Sequence, residues 1–148
     1  MYDVKDIANW FLIYNLFMET DQGADGISNL KLQKLLYYAQ SAFLALKNEL
    51  LFSNEIVAWQ HGPVIEEIYH KYKDFGSGDI EVNIENGPQI DKETEKILMN
   101  VYDTFGEYSA WGLRNLTHSE KPWLETPLNK VISTETMKES FKENYVEN

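Results

Sequence analysis

SNLKLQKLLYYAQSAFLAL, residues 28–46, is the stretch of sequence that decides the fold. Its apolar side chains recur at spacings of three and four, which is the period of one face of an α-helix. Ser28 or Asn29 can cap the first turn, because a short polar side chain there can accept a hydrogen bond from a free backbone N–H. The stretch therefore predicts a long helix that buries one face. The apolar side chains are Leu32, Leu35, Leu36, Ala39, Ala42, Phe43 and Leu46.

Shorter helical patterns lie on both sides of this stretch, and two segments favour β-structure. Residues 55–60 and 80–84 alternate between apolar and polar side chains, so we expect two short strands that can pair with each other. His61-Gly62-Pro63 predicts a turn after the first strand, and Asn86-Gly87-Pro88 closes the second. The predicted helices span residues 3–20, 28–46, 63–73, 91–105 and 110–117, with a last helix that starts at Ser133 or Thr134.

Composition fits one domain over residues 1–148. Hydrophobic residues make up 43% of the chain and aromatic residues 14%, which is enough for a dense core. The sequence thus predicts a mainly α (α+β) fold, a compact single-domain helical bundle with a small two-stranded β element. The chain has no cysteine, which excludes disulfides and thiolate zinc sites.

The formal net charge of −11 bears on the partners of the protein. Phosphate backbones would be repelled, so we expect no nucleic acid. Many of the acidic residues lie between residues 55 and 95. They form either a solvated face or a surface that steers a basic partner towards the protein. The apolar stretch 10–18 is too short to span a bilayer and lacks the features of a signal peptide, so we expect no membrane association and a cytoplasmic location.

The sequence contains none of the catalytic motifs that we considered. It lacks a G-x-S-x-G elbow, a phosphate-binding glycine loop and a paired-histidine metal helix. Glu66 and Glu67 are adjacent on a predicted helix and diverge too far to act as a dyad. We therefore expect no catalytic residue, no metal, no cofactor and no enzymatic activity.

Four segments, in order, resemble a known family. They are residues 27–40 (ISNLKLQKLLYYAQ), residues 58–64 (AWQHGPV), the tyrosine-containing residues 68–73, and residues 108–123, with THSEKPW at their end. Together they resemble the SocA/Panacea antitoxin domain, also met as a phage-associated protein of mobile elements. The resemblance covers about residues 5–125 and leaves 126–148 as a C-terminal extension with a helix.

The resemblance implies an α-rich domain that neutralises a cognate toxin by direct binding, the toxin being encoded by a neighbouring gene. An alternative within the family is a proteolytic adaptor that delivers a toxin to an ATP-dependent protease. A second alternative, from the residues alone, is a metal-dependent hydrolase that uses His61 and His118 with nearby carboxylates.

Two groups of site residues follow. Lys31, Gln33, Lys34 and Tyr38 are the candidates for partner binding, because packing alone does not require polar groups inside a helical motif. We interpret a second group as a structural polar network, or as a site. Its side chains would join the turn after the first strand to the short helix. This group comprises Trp59, His61, Thr117, His118 and Trp123. Two or three exposed aromatics are expected among Tyr37, Tyr38, Trp59, Tyr69, Tyr108, Trp111 and Trp123.

Overall fold

The computed structural model describes residues 1–85 and 87–146. Within these ranges the chain is mainly helical, with one two-stranded antiparallel sheet, so the predicted fold class is confirmed. The helices are α1 (Val4–Gln22), α2 (Asn29–Lys47), α3 (Glu66–Tyr72), α4 (Lys92–Phe105), α5 (Ala110–His118), α6 (Lys121–Leu124) and α7 (Thr134–Tyr145). The strands are β1 (Val57–Trp59) and β2 (Gly62–Val64), and a 3₁₀ turn, Lys73–Phe75, follows α3. None of the helices in these ranges is long and apolar enough to cross a membrane.

Helix α2 runs through the centre of the molecule. It packs against α1, α3, α4, α5, α7 and β2, and fifteen of its nineteen residues are buried. The Ser28 side chain accepts a hydrogen bond from the Lys31 N–H, which confirms the predicted cap. A helix that is buried on nearly all sides has no solvated face, so its polar side chains need partners inside the protein.

The other predicted helix starts are largely confirmed. The side chains of Asp3, Asp91, Ser109 and Ser133 each accept a backbone hydrogen bond in the first turn of α1, α4, α5 and α7. Such caps stabilise a helix because its first N–H groups have no partner within the helix. The single turn α6 lies in a segment for which the sequence predicts no helix, and Pro122 fits it because proline is tolerated in a first turn.

The predicted partner of the first strand is wrong. β1 pairs with β2, with Val57 opposite Val64, and residues 80–84 form no strand. The other edge of β1 is occupied by the chain before α7, where the Ala58 N–H donates to the Lys130 carbonyl at 2.9 Å. With both edges of β1 filled, residues 80–84 have no strand to pair with. Asn86, in the predicted closing turn, lies outside the described residues.

Helix α3 starts later than the sequence predicts. It begins at Glu66 instead of Pro63, because Pro63 and Val64 belong to β2. The turn at Gln60 and His61 therefore closes a β-hairpin rather than leading directly into a helix. This hairpin lies against both α2 and α5, and it brings the residues of the candidate site together.

Candidate functional site

The polar residues of α2 point into the protein. Lys31, Gln33, Lys34 and Tyr38 have at most 7% of their surface exposed. These candidates for partner binding therefore form no accessible face, because other elements surround the helix. Each of the four has an internal hydrogen-bond partner instead, and a direct contact between them and a partner protein stays a prediction.

Gln33 and Lys31 hold the ends of neighbouring helices. The Gln33 side chain accepts from the Ile65 N–H at 2.8 Å and donates to Asn29 at 3.0 Å. The Lys31 ammonium donates to the Gly106 carbonyl at 2.6 Å. Gly106 ends α4, where carbonyls lack partners and attract a cation. These bonds fix the start of α3 and the end of α4 on α2.

Lys34 is fully buried beside the hairpin. Its ammonium nitrogen donates to the Pro63 carbonyl at 3.2 Å, and it forms no ion pair with a described carboxylate. Burial, together with the nearby charge of Arg114, lowers the pKa of Lys34 to about 7. The site therefore holds an amine that loses its proton far more easily than an ordinary lysine.

Tyr38 joins α2 to the chain between α5 and α6. Its hydroxyl donates to the Glu120 carboxylate at 2.7 Å, and its ring stacks on Phe105 with the centroids 3.8 Å apart. The Tyr145 hydroxyl donates to the other oxygen of Glu120. Burial raises the pKa of Glu120, while the two tyrosine hydrogen bonds lower it. A buried carboxylate with two hydroxyl donors links α2, α6 and α7.

Four of the five residues of the predicted polar network lie together. The Trp123 indole donates to the Trp59 carbonyl at 2.8 Å, and the His118 ring stacks on Trp123 at 3.8 Å. The Thr117 hydroxyl donates to the Arg114 carbonyl at 2.9 Å. Burial lowers the pKa of His118, and the charge of Arg114 adds to this effect. These contacts connect the hairpin to α5 and α6.

His61 does not take part in that network. Its side chain is exposed, and within the described ranges it forms no hydrogen bond to Thr117 or His118. Its Nδ1 instead accepts from the Arg114 Nε at 3.4 Å. The Arg114 guanidinium lies 4.3 Å from the centre of the Trp111 ring, and Trp111 is 55% exposed. We name His61, Trp111 and Arg114 the hairpin–α5 patch.

The sequence indicated only part of this patch. Trp111 and Tyr108 are the exposed members of the seven aromatics considered, in agreement with the expected number. Arg114 was not among the candidates, although it is the only arginine of the chain. A single arginine in a strongly acidic protein was the signal that could have identified it.

Gly62 allows the hairpin to pass close to α2 and α5. Its φ is +116°, and a Cβ at this position would lie 2.4 Å from Lys34 Cε and 3.0 Å from Thr117 Oγ1. We expect Gly62→Ala to lower the free energy of unfolding by about 2 kcal/mol, through backbone strain and overlap. Urea unfolding would measure the change. Gly23→Ala is the matched control, because Gly23 also has a positive φ but has no atom within 4 Å of such a Cβ. Equal losses in the two variants would show that close packing at Gly62 contributes nothing.

Two other features of the molecule bear on ligand binding. No group of three or more histidine, aspartate or glutamate side chains in the described part of the chain could hold a metal ion. The metal-dependent alternative therefore has no ligand set there. A cleft of about 1010 Å³ between the end of α1 and the end of α4 is lined by Asp25, Asp79, Asp103 and Glu107. Acidic side chains in an open cleft are hydrated and by themselves indicate no ligand.

Comparison with known proteins decides the family. Residues 32–124 match the family model described as antitoxin SocA-like, Panacea domain. The chain belongs to this family. One SocA-like relative is Antitoxin SocA of Caulobacter vibrioides (strain NA1000 / CB15N), 34% identical over 127 residues. The match covers 75% of this chain and 66% of that relative, slightly less than two thirds of its length. No solved structure matches the chain.

Membership of the SocA-like family supports an antitoxin role in general terms. The matched span contains the hairpin–α5 patch together with Gln33, Lys34 and Tyr38. It also contains Trp59, Thr117, His118 and Trp123. The hairpin–α5 patch and much of the buried scaffold thus lie in the part of the chain that matches the family model.

Proposed function

We propose that this protein neutralises a toxin protein by binding it directly through the hairpin–α5 patch. The observation that carries the proposal is a pair of side chains in a protein of an antitoxin family: the exposed Trp111 ring, with the half-buried Arg114 guanidinium 4.3 Å from its centre. Tryptophan and arginine are enriched among the residues that dominate the energy of protein–protein interfaces. The toxin is expected to be encoded by a neighbouring gene.

The support beneath the patch favours binding without rearrangement. The hairpin that carries His61 is tied to α2 through the Lys34 bond to Pro63, and to α6 through the Trp123 bond to Trp59. The Thr117 hydroxyl bonds within α5. Side chains on a fixed backbone lose less entropy when a partner binds, so more of the contact energy appears as affinity.

A growth-rescue experiment tests the function. Each open reading frame beside the gene would be induced alone in a bacterial host, and then together with this protein, followed by co-purification. We expect one neighbour to stop growth, and this protein to restore growth and to co-elute with that neighbour. Absence of a toxic neighbour, or rescue without a complex, would contradict direct neutralisation. Rescue without a complex but with a shortened toxin lifetime would favour the adaptor alternative.

Trp111→Ala tests the surface. We expect this variant to bind the co-purified toxin about 10–100-fold more weakly, because a large exposed aromatic at the centre of an interface contributes about 1.4–2.7 kcal/mol. Calorimetry of the purified pair would measure the affinity. Phe17→Ala is the matched control, since Phe17 is 58% exposed on α1, away from the patch. Unchanged affinity for Trp111→Ala, with rescue intact, would leave the antitoxin function in place and refute this surface.

A further inference from the structure

Arg114 is the only arginine in a chain that has 24 acidic residues. In such a chain an arginine on the surface has many possible carboxylate partners. Among residues 1–85 and 87–146, however, no carboxylate lies within 4.0 Å of its guanidinium. The ion pairs in these ranges all use lysines: Lys5 with Asp3, Lys47 with Glu93, and Lys121 with Glu143.

The guanidinium of Arg114 is held in place by an aromatic ring and by two side-chain hydrogen bonds. It lies over the Trp111 ring, its Nε donates to His61, and its Nη1 donates to Asn115 at 3.1 Å. A guanidinium has five N–H donors in a planar fork that matches a carboxylate. These contacts use two of the five donors and fix the plane of the group. A carboxylate would therefore meet a cation whose orientation is already set.

Arg114 is the permanent positive charge of the patch. Its charge lowers the pKa of the buried Lys34 and of the partly buried His118, which favours the neutral forms of these two groups. His61 borders the guanidinium directly. This small positive area lies on a protein with a formal net charge of −11, so an incoming negative group is attracted here and repelled over most of the surface.

We propose that the hairpin–α5 patch recognises a protein segment in which an aspartate or glutamate lies next to a large apolar side chain. The carboxylate would pair with the fork of Arg114, and the apolar side chain would pack on the exposed part of Trp111. This segment would be the part of the toxin that the surface proposed above binds. To that extent the inference rests on the proposed function, but peptide binding can be tested with this chain alone.

A nucleic acid fits the patch less well than an acidic peptide. Binding to a phosphate backbone normally uses several cations that replace the counterions of successive phosphates. The patch provides one permanent cation, and the net charge of the whole chain opposes a polyanion. A single carboxylate beside an apolar group requires only what Arg114 and Trp111 supply.

The test is a selection from a random peptide library against the purified full chain. We expect the enriched sequences to contain an aspartate or glutamate beside an aromatic or large aliphatic residue. One enriched peptide and its acid-to-amide variant would then be measured by fluorescence anisotropy against the wild-type chain and Arg114→Gln. Each single change is expected to weaken binding about tenfold to a hundredfold, and both together little more than either alone. Arg114→Lys keeps the charge without the planar fork and should lose part of the affinity.

Lys121→Gln is the matched control, because it removes an exposed positive charge from α6 and should leave peptide binding unchanged. Near-ultraviolet circular dichroism checks that each variant is folded. The proposal is overturned if the selection enriches no sequences, or if it enriches neutral or basic peptides. It is also overturned if the losses of affinity from the two changes are additive, or if the chain binds a single-stranded oligonucleotide more strongly than the peptide. If acidic peptides bind but growth rescue fails, the recognition chemistry holds and toxin neutralisation is wrong. If rescue succeeds and acidic peptides are not selected, only this inference is wrong.

Discussion

Tyr38→Ala is expected to lower the free energy of unfolding by about 3–5 kcal/mol, the loss typical of a large buried aromatic. The Tyr38 side chain is 1% exposed and stacks on Phe105 in the core. Its removal leaves a cavity between α2 and α4. It also removes one of the two hydroxyls that bond to the buried Glu120, and a buried carboxylate that loses a donor is costly.

Tyr38→Phe separates the two contributions. This variant keeps the ring and loses only the hydroxyl, so we expect a loss of about 1–3 kcal/mol, the usual value for a hydrogen bond to a charged group. Chemical denaturation of both variants would measure the difference. Tyr108→Ala serves as a control, because Tyr108 is 41% exposed. A Tyr38→Ala loss as small as that of Tyr108→Ala would show that Tyr38 contributes little to the core.

Lys34 is expected to make stability depend on pH in a range where few other groups titrate. Its folded-state pKa, about 7, lies below the ordinary value of 10.5, so between these values the unfolded chain binds a proton that the folded chain does not. Stability therefore rises with pH in this range, by up to about 1.4 kcal/mol per pH unit. From about pH 7 to about pH 9 we expect a gain of about 2–3 kcal/mol.

Lys34→Met should lose most of this gain, while the buried Lys31, whose pKa burial also lowers, keeps a smaller part. Urea unfolding of wild type and variant at several pH values between about 7 and 9 would measure it. His118 also has a lowered pKa, but the pH dependence of stability that it causes lies below its ordinary pKa of 6.5 and so outside this window. Lys121→Met, at an exposed position, should follow the wild-type profile. Parallel profiles for wild type and Lys34→Met would rule out the buried amine as the source.

The helices were predictable because their signals are local. Period, caps and helix-ending residues lie within a few positions of one another. Such local signals predict helix starts at residues 3, 28, 91 and 110, and the structure has caps there at Asp3, Ser28, Asp91 and Ser109. The strand at residues 80–84 was not predictable by the same means. Alternation indicates a half-buried extended chain, but it does not show whether a free strand edge lies beside it.

The polar residues of α2 were misjudged for a related reason. The sequence pattern shows one apolar face, but the number of elements that surround a helix is set by the tertiary fold. Six elements surround α2, so Lys34 and Tyr38 are core residues. The exposed patch could be predicted only in part, because the contact of Arg114 with His61 joins residues 53 positions apart.

The bonds that α2 makes to its surroundings go largely to main-chain atoms. Lys31 and Lys34 donate to the carbonyls of Gly106 and Pro63, and Gln33 accepts from the N–H of Ile65. Gln40 bonds to the backbone of Leu51 and Phe52. Main-chain atoms are present whatever side chain a position carries. Mutation can therefore change the outward side chains of these segments without removing their hydrogen bonds to α2. The same scaffold can in this way acquire a surface for a new partner during evolution.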